Sequence, residues 1–150
     1  MIWIDADSCP LLVRNHVVKT GAKNNIQVTL VANKKINCTV PFSYNMVVCP
    51  QKKDAADDYI FQNCKKGDLV ITKDIVFADR ILSKEVLCIN DRGKEFTKEN
   101  IKELLEDRQF DIQIEMSGAA KHFNEGYDQK KFDAFLKCFG KILTLLQNQE

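Results

Sequence analysis

The sequence predicts an α/β protein, a three-layer sandwich with a mainly parallel central sheet of about five strands. Two observations lead to this fold class. Short apolar runs alternate with helical patterns over the first two-thirds of the chain, as they do in βαβ units. The strand runs are also apolar throughout instead of alternating with polar residues, which indicates that both faces of the sheet are buried.

The elements follow from periodicity and from start and stop signals along the chain. Strands are predicted at 2–4, 26–32, 44–49, 69–72 and 86–89. Helices are predicted at about 9–20, 54–66, 75–83, 97–108 and 128–147. Ser8 is the expected cap of the first helix and Gly21 its stop, because these residue types favour helix ends. Residues 33–43 form an irregular connection and 109–129 a long polar loop.

Length and composition bound the class of protein. The chain has 150 residues, of which 45% are hydrophobic and 29% charged, which fits one domain spanning 1–150 and excludes disorder and fibrous repeats. The net charge of +1 gives no overall basic character, so only a local patch would favour nucleic acid. No apolar run approaches the ~20 residues of a membrane span, and no secretory signal opens the chain. We therefore expect a cytoplasmic protein without a membrane partner.

The apolar stripe of the last helix includes Phe132, Phe135 and Phe139. Its helical spacing predicts packing against the sheet, with a dimer seam as the alternative. The six cysteines contain no C-x-x-C pair. We therefore expect the cysteines to act as small buried hydrophobic residues in a reducing compartment. Cys9 begins a helix, where the pKa of a thiol can fall, but no His is placed in sequence to pair with it. His16 is expected to be structural, and His122 is a general-base candidate in the polar loop.

Aspartates gather at the ends of the predicted strands, and this is the most informative feature of the sequence. Parallel strands end at one edge of an open sheet, where ligands bind. The acids at or near this edge come from four segments of the chain: Asp5, Asp7, Asp54, Asp57, Asp58, Asp74 and Asp79. Converging carboxylates repel one another and raise each other's pKa. A hard divalent cation, Mg²⁺ or Mn²⁺, relieves that repulsion and prefers oxygen ligands.

Helix capping is an alternative explanation for some of these acids, and neighbouring polar residues extend the metal interpretation to a substrate site. Acids in the first turn of a helix also act as caps and favour the helix dipole, which by itself accounts for Asp54, Asp57 and Asp74 but not for Asp5 with Asp7. Other polar residues near the edge are candidates to bind substrate: Asn33, Thr72, Lys73, Asn90, Arg92 and Ser117. A local basic rim at the same mouth would attract a phosphate backbone, and it consists of Lys34, Lys35, Lys52, Lys53 and Lys73.

Several of these segments together resemble one family. They are Asp5-Ala-Asp-Ser-Cys-Pro10, Leu30-Val-Ala-Asn33, Asp54-Ala-Ala-Asp57, Gly67-Asp-Leu-Val-Ile-Thr-Lys-Asp74, Asn90-Asp-Arg-Gly93, Thr97 with Asn100-Ile101, and Ser117-Gly118. The ordered set is similar to the YaiI/YqxD family of uncharacterised bacterial proteins over nearly the whole chain. The stretch after Ser117-Gly118 departs from the glycine- and proline-rich sequence that family members often have.

The resemblance implies a PIN-like fold, whose better-known relatives are metal-dependent ribonucleases. It implies that Asp5, Asp57 and Asp74 bind Mg²⁺ or Mn²⁺, with Asp7, Asp54 and Asp79 in support. A phosphodiesterase acting on RNA is the main expectation, with Asp5, Asp7, Asp57 and Asp74 as its catalytic residues.

Two other classes of function stay open. Asp5-x-Asp7 after a first strand is similar to haloacid-dehalogenase phosphatases, in which the first Asp is the nucleophile. However, Cys9 stands where those enzymes usually have Thr. The third possibility is a non-catalytic module that binds metal and nucleic acid.

Overall fold

A mainly parallel sheet of six strands forms the centre of the protein, in a computed structural model that describes residues 1–117 and 126–148. The strands are β1 (Ile2–Asp5), β2 (Val28–Ala32), β3 (Asn45–Val48), β4 (Leu69–Ile71), β5 (Leu87–Ile89) and β6 (Glu95–Phe96). Their order in the sheet is β3-β2-β1-β4-β5-β6. The first five strands are parallel, whereas β6 pairs antiparallel with β5. The α/β class is confirmed, and β6 is an addition, since its two residues are too few to give a strand pattern.

Five helices cover the two faces of the sheet in the described chain. They are α1 (Leu11–Lys23), α2 (Ala55–Asn63), α3 (Ile75–Leu82), α4 (Ile101–Ser117) and α5 (Gln129–Gln147). On one face, Ile2 and Ile4 of β1 share a core with Val17 of α1 and Phe135 of α5. The other face packs against α2, α3 and the start of α4, for example through Trp3. The result is the three-layer arrangement that the sequence predicts, with α5 packed on the sheet.

The connection 33–44 is irregular, as expected, although it joins two adjacent parallel strands. Its apolar side chains, including Ile36, Val40 and Phe42, pack against the core on the α1 side. This packing takes the place of a crossover helix. None of the described helices combines the length and the apolar composition that a membrane span requires.

Helix α1 starts and ends later than the sequence predicts. Its N-cap position is Pro10, and Ser8 instead lies in a short 3-10 turn (Ala6–Ser8) that follows β1. Gly21 lies inside the helix, where a Cβ atom would approach Val28 Cγ2 to 2.6 Å and the Ile26 carbonyl oxygen to 2.8 Å. Glycine at this position therefore permits close helix–strand contact and does not stop the helix.

Helices α2 and α4 also differ from their predicted bounds. Helix α2 ends at Asn63, so Lys65 and Lys66 lie beyond its last turn. Helix α4 continues to Ser117, which makes the predicted loop 109–129 wrong over its first nine residues. The reason is visible in the sequence, because no Gly or Pro interrupts residues 109–117. Residues 118–125, which include Gly118 and His122, lie outside the described chain.

Candidate functional site

The strand order places a topological switch point between β1 and β4. From β1 the chain runs to β2 and β3 on one side of the sheet, and the connection through α2 then leads to β4 on the other side of β1. In open α/β sheets, ligands bind in the crevice outside the carboxyl ends of the strands at such a point. Asp5 is the last residue of β1, Thr72 follows β4 directly, and Asp74 precedes α3. The fold therefore brings these three residues to the expected binding edge.

Asp5 is the most buried acid of this group, with 9% of its surface exposed. Thr72, which is 2% exposed, donates its hydroxyl proton to Asp5 Oδ2 over 2.9 Å. Burial raises the pKa of Asp5, and the charges of Asp7 and Asp74 add to that rise, whereas the hydrogen bond from Thr72 opposes it. Thr72 therefore holds the orientation of Asp5 and stabilises its charged form.

Asp74 fulfils the capping role that competes with metal binding. Its Oδ1 atom accepts hydrogen bonds from the backbone amides of Val76 at 3.0 Å and Phe77 at 3.2 Å. The backbone amide of Asp74 in turn donates to Thr72 Oγ1 over 3.1 Å. Thr72 is thus bonded to both acids, and one oxygen of Asp74, Oδ2, accepts no hydrogen bond within the described residues.

Asp57 has no such capping bond, although it lies in the first turn of α2. Burial raises its pKa from 3.8 to about 7, and the charges of Asp5, Asp74 and Asp54 add to the rise. Asp54 occupies the N-cap position but makes no side-chain capping bond, and its backbone is left-handed, with φ of 63°. Capping thus accounts for Asp74 but not for Asp54 or Asp57. The three segments carrying Asp5, Asp57 and Asp74 lie near enough for their charges to interact.

The remaining predicted acids have different surroundings. Asp7 is exposed, and its Oδ2 atom accepts the backbone N–H of Asn33 over 2.9 Å, which ties the end of β2 to the site. Asp58 pairs with Arg80 over 2.6 Å. Asp79 is exposed on α3 and is not among the charges that shift the pKa of Asp5 or Asp57. Asp79 therefore does not belong to the cluster formed by Asp5, Asp57 and Asp74.

The acidic cluster consists of carboxylate oxygens, which are the type of ligand that a hard cation prefers. Its side chains are not closed around a common point: among the side chains that the structure describes, no three from Asp, Glu, His or Cys are placed to hold one metal ion. Asp5 Oδ1, Asp74 Oδ2 and both oxygens of Asp57 accept no hydrogen bond from the described residues. These oxygens are free to turn toward a cation.

A cleft of about 490 Å³ opens beside the acids and is lined by Asp5, Ser8, Lys73, Asp74, Ile75 and Arg108. Its volume is that of a small-molecule site. Lys73 was predicted for this edge, whereas Arg108 was not. Arg108 reaches the cleft because α4 packs against α3, a tertiary contact that no sequence motif announces. Two further grooves, of about 560 and 460 Å³, lie at the opposite end of the sheet near residues 21–28 and 66–68.

Other residues predicted to bind substrate lie outside the lining of this cleft. Asn90 Oδ1 accepts hydrogen bonds from the backbone amides of Arg92 and Lys94, each over 2.9 Å. These bonds shape the turn before β6. Arg92 is exposed in that turn. Asn33 has a buried Oδ1 atom without a partner among the described residues. Ser117 ends α4, and its side chain lies outside the described part of the structure.

Asp91 is a residue that the sequence did not single out. It follows β5 and is 5% exposed, and its Oδ1 atom is buried without a hydrogen-bond partner in the described chain. It borders a narrow gap together with Asp5, Cys9 and Thr72. The charge of Asp91 also contributes to the raised pKa of Cys9, which is mainly an effect of burial. Its signals in the sequence were an acid two residues after a strand end and its place in the Asn90-Asp-Arg-Gly93 segment.

The residues considered for nucleophilic or base catalysis are structural where the structure describes them. Cys9 is buried, and the rise in its pKa disfavours the thiolate. His16 packs edge-on against Phe132 and Phe139, with ring centroids 6.1 and 5.7 Å apart, and burial lowers its pKa. Neither residue lines the cleft.

The fold and the site together define an α/β protein with a carboxylate cluster at the switch point of a mainly parallel sheet. The model of a protein family described as uncharacterized BCR, YaiI/YqxD family (DUF188), matches residues 3–145, and the chain belongs to this family. This match confirms the resemblance found in the sequence.

Curated relatives are similar over nearly their full length. A UPF0178 protein of Treponema denticola is 37% identical over 143 residues, which cover 95% of this chain and 91% of the relative. A UPF0178 protein of Pseudomonas fluorescens strain Pf0-1 is 34% identical over 148 residues, covering 99% and 98%. A UPF0178 protein of Pseudoalteromonas atlantica is 34% identical over 143 residues, covering 95% and 97%. No solved structure matches the chain significantly.

Proposed function

We propose that this protein is a PIN-like hydrolase that cleaves phosphodiester bonds in RNA with the help of Mg²⁺ or Mn²⁺. One observation carries the proposal: carboxylates from three separate segments lie at the switch point, where burial and the charges of Asp5 and Asp74 raise the pKa of Asp57 to about 7. Groups with strongly perturbed pKa values in a cleft are typical of functional sites. A divalent cation is the ligand that best relieves the repulsion between the carboxylates of such a cluster.

The proposed roles follow from the contacts of each residue. Asp5, Asp57 and Asp74 would hold the cation through the oxygens that make no hydrogen bond among the described residues. Thr72 keeps Asp5 charged and oriented through its 2.9 Å hydrogen bond. Asp7 and Asp54 lie close enough to influence the pKa of Asp5 and Asp57, respectively, and are candidates to orient an attacking water. When bound, the cation supplies Lewis-acid stabilisation of the phosphoryl oxygens.

The basic residues around the mouth support a phosphate-bearing substrate. Lys34, Lys35, Lys52 and Lys53 are exposed in the loops after β2 and β3, at the same edge as the acids. Within the described residues, none of them forms an ion pair. Unpaired cations around an acidic centre favour a polyanion whose scissile phosphate is then neutralised at the centre.

The two other classes of function have less support from the contacts. In a phosphatase of this type Asp5 would be the nucleophile, and its Oδ2 atom is already engaged by the hydrogen bond from Thr72. The second acid of that motif, Asp7, is bonded to the backbone of Asn33. A non-catalytic module would bind metal and RNA without turnover.

Cleavage of a labelled RNA by the purified protein with Mn²⁺ tests the proposal. We expect replacement of Asp5 or Asp74 by Asn to reduce the rate at least about 100-fold, the usual scale for losing one electrostatic contact to a transition state. Asp107→Asn is the matched control, because Asp107 is an exposed acid on α4 outside the cleft.

Three outcomes would contradict the proposal. Equal rates in all variants would identify a contaminating nuclease. A phospho-aspartate trapped at Asp5 would favour the phosphatase. Binding of Mn²⁺ and RNA without cleavage would favour the module.

A further inference from the structure

Two cations project from different elements at the cleft beside Asp5 and Asp74. Lys73 lies in the loop between β4 and α3, and Arg108 lies on α4. Both side chains line the cleft of about 490 Å³, and both residues are exposed. Within the part of the chain that the structure describes, neither forms an ion pair. Their charges are therefore available to a ligand.

The neighbouring acids determine what kind of ligand these cations can serve. Carboxylates in the same cleft repel any anion that approaches Asp5, so an anionic ligand needs compensating positive charge close to it. Arg binds phosphate oxygens through a planar fork, whereas Lys acts as a compact point charge. A cleft that combines both cations is suited to one phosphate group.

The shape of the cleft indicates how the phosphate arrives. Asp5 is only 9% exposed, so a phosphate must enter the cleft to lie beside it. A single strand can bend its backbone into such a recess, whereas the phosphates of a duplex are fixed on the surface of a wide helix.

We infer that Lys73 and Arg108 form a phosphate clamp for an internal phosphate of a single-stranded nucleic acid. This inference rests on the proposed function, since it places the phosphate beside the proposed metal-binding carboxylates. Arg108 provides the bidentate contact from α4, and Lys73 neutralises charge from the loop between β4 and α3. Arg92, the arginine that the sequence suggested for this role, lies in the turn before β6 and outside the lining of the cleft.

Binding of a fluorescein-labelled single-stranded oligouridylate in EDTA, followed by anisotropy, tests the clamp without any cleavage. We expect Arg108→Ala to weaken binding about tenfold, the effect of losing a hydrogen bond to a charged group. It should also make the slope of log K against log salt shallower by about 0.7, the value for one lost contact to a single strand. Arg108→Lys should restore the slope but only part of the affinity, because it keeps the charge and loses the fork. Lys73→Ala should also make the slope shallower.

Lys102→Ala is the matched control, because Lys102 is an exposed cation on the same helix outside the cleft. Equal losses in Lys102→Ala and Arg108→Ala would overturn the clamp, and so would unchanged binding in Arg108→Ala or no measurable binding by the wild type. Two results would overturn the assignment of the clamp to an internal phosphate of a single strand. One is equally tight binding of duplex RNA. The other is competition by uridine monophosphate at the concentration of the oligonucleotide.

The clamp and the proposed hydrolysis fail in different ways. If Arg108→Ala weakens binding while the wild type shows no Mn²⁺-dependent cleavage, the clamp stands and the hydrolase does not. If cleavage depends on Asp5 while Arg108→Ala binds RNA normally, the hydrolase stands and the clamp is refuted.

Discussion

Replacing Asp57 by Asn measures the combined cost of burying this carboxylate and of holding it beside the charges of Asp5 and Asp74. In the folded protein the pKa of Asp57 lies at about 7, against an ordinary value of 3.8. If the whole pKa difference changed the free energy of unfolding, the effect would be about 4 kcal/mol. Solvent screening reduces it because the side chain is only half-buried, and we expect about 1–2 kcal/mol.

The sign follows from proton linkage. The folded protein holds the proton of Asp57 more tightly than the unfolded chain does, so this group lowers the free energy of unfolding as the pH rises from about 4 to about 7. The Asn variant has no such proton to lose. It should therefore be more stable than the wild type at pH 8, by about 1–2 kcal/mol, and the gain should shrink toward pH 5.

Urea denaturation at pH 5 and pH 8 in EDTA provides the measurement, with Asp107→Asn as the exposed control. A gain of this size corresponds to about 2–8 °C in Tm for a chain of this length. Destabilisation of the metal-free Asp57→Asn variant at pH 8 would refute the reasoning. That result would mean that Asp57 acts as a helix-stabilising acid in the first turn of α2.

Three further changes test how the fold supports the site. Thr72→Val removes the hydroxyl that bonds Asp5 at 2.9 Å, and urea titration should show a loss of about 1–3 kcal/mol because a buried acceptor loses its partner. Gly93→Ala should cost more than about 1 kcal/mol in the same assay, because Gly93 has φ of +84° and a Cβ would meet the carbonyl oxygen of Ala134. Phe135→Ala should cost about 3–5 kcal/mol by calorimetry, since the ring is fully buried between helix and sheet.

Controls for these three changes come from positions of the same residue type or the same helix. Thr29→Val removes a buried hydroxyl away from the acids and should leave the pH dependence of stability unchanged, unlike Thr72→Val. Gly140→Ala, with open space around its Cβ position, should stabilise α5 by up to about 1 kcal/mol. Leu145→Ala, at 48% exposure, should change stability by less than about 0.5 kcal/mol. An equal loss of stability within the glycine pair or within the α5 pair would contradict the assigned cause, and so would an equal change in pH dependence within the threonine pair.

The sheet could be predicted because its strands are short, continuous apolar runs bounded by turn residues. Errors arose where tertiary contacts override local signals. Gly21 lies inside α1 because Val28 and Ile26 approach it closely, and helix signals alone do not reveal that approach. The continuation of α4 to Ser117 was missed because residues 109–117 include many polar residue types, which are typical of a loop.

The site could be predicted in part for a related reason. Asp5, Asp57 and Asp74 follow strand ends or begin a helix, and parallel strands bring those positions to one edge. Arg108 could not be found in this way, because its place in the cleft depends on the packing of α4 against α3. Asp79 was included because it lies about one turn into the helix after the fourth predicted strand, and the structure leaves it exposed on α3.

Titration of the apoprotein with Mn²⁺ at pH 8 tests the central claim most directly. The account predicts saturable binding by the wild type and by Asp107→Asn, loss of binding in Asp5→Asn and Asp74→Asn, and weaker binding by the wild type at pH 6, where Asp57 holds its proton. Unchanged Mn²⁺ affinity in both Asp5→Asn and Asp74→Asn would contradict it.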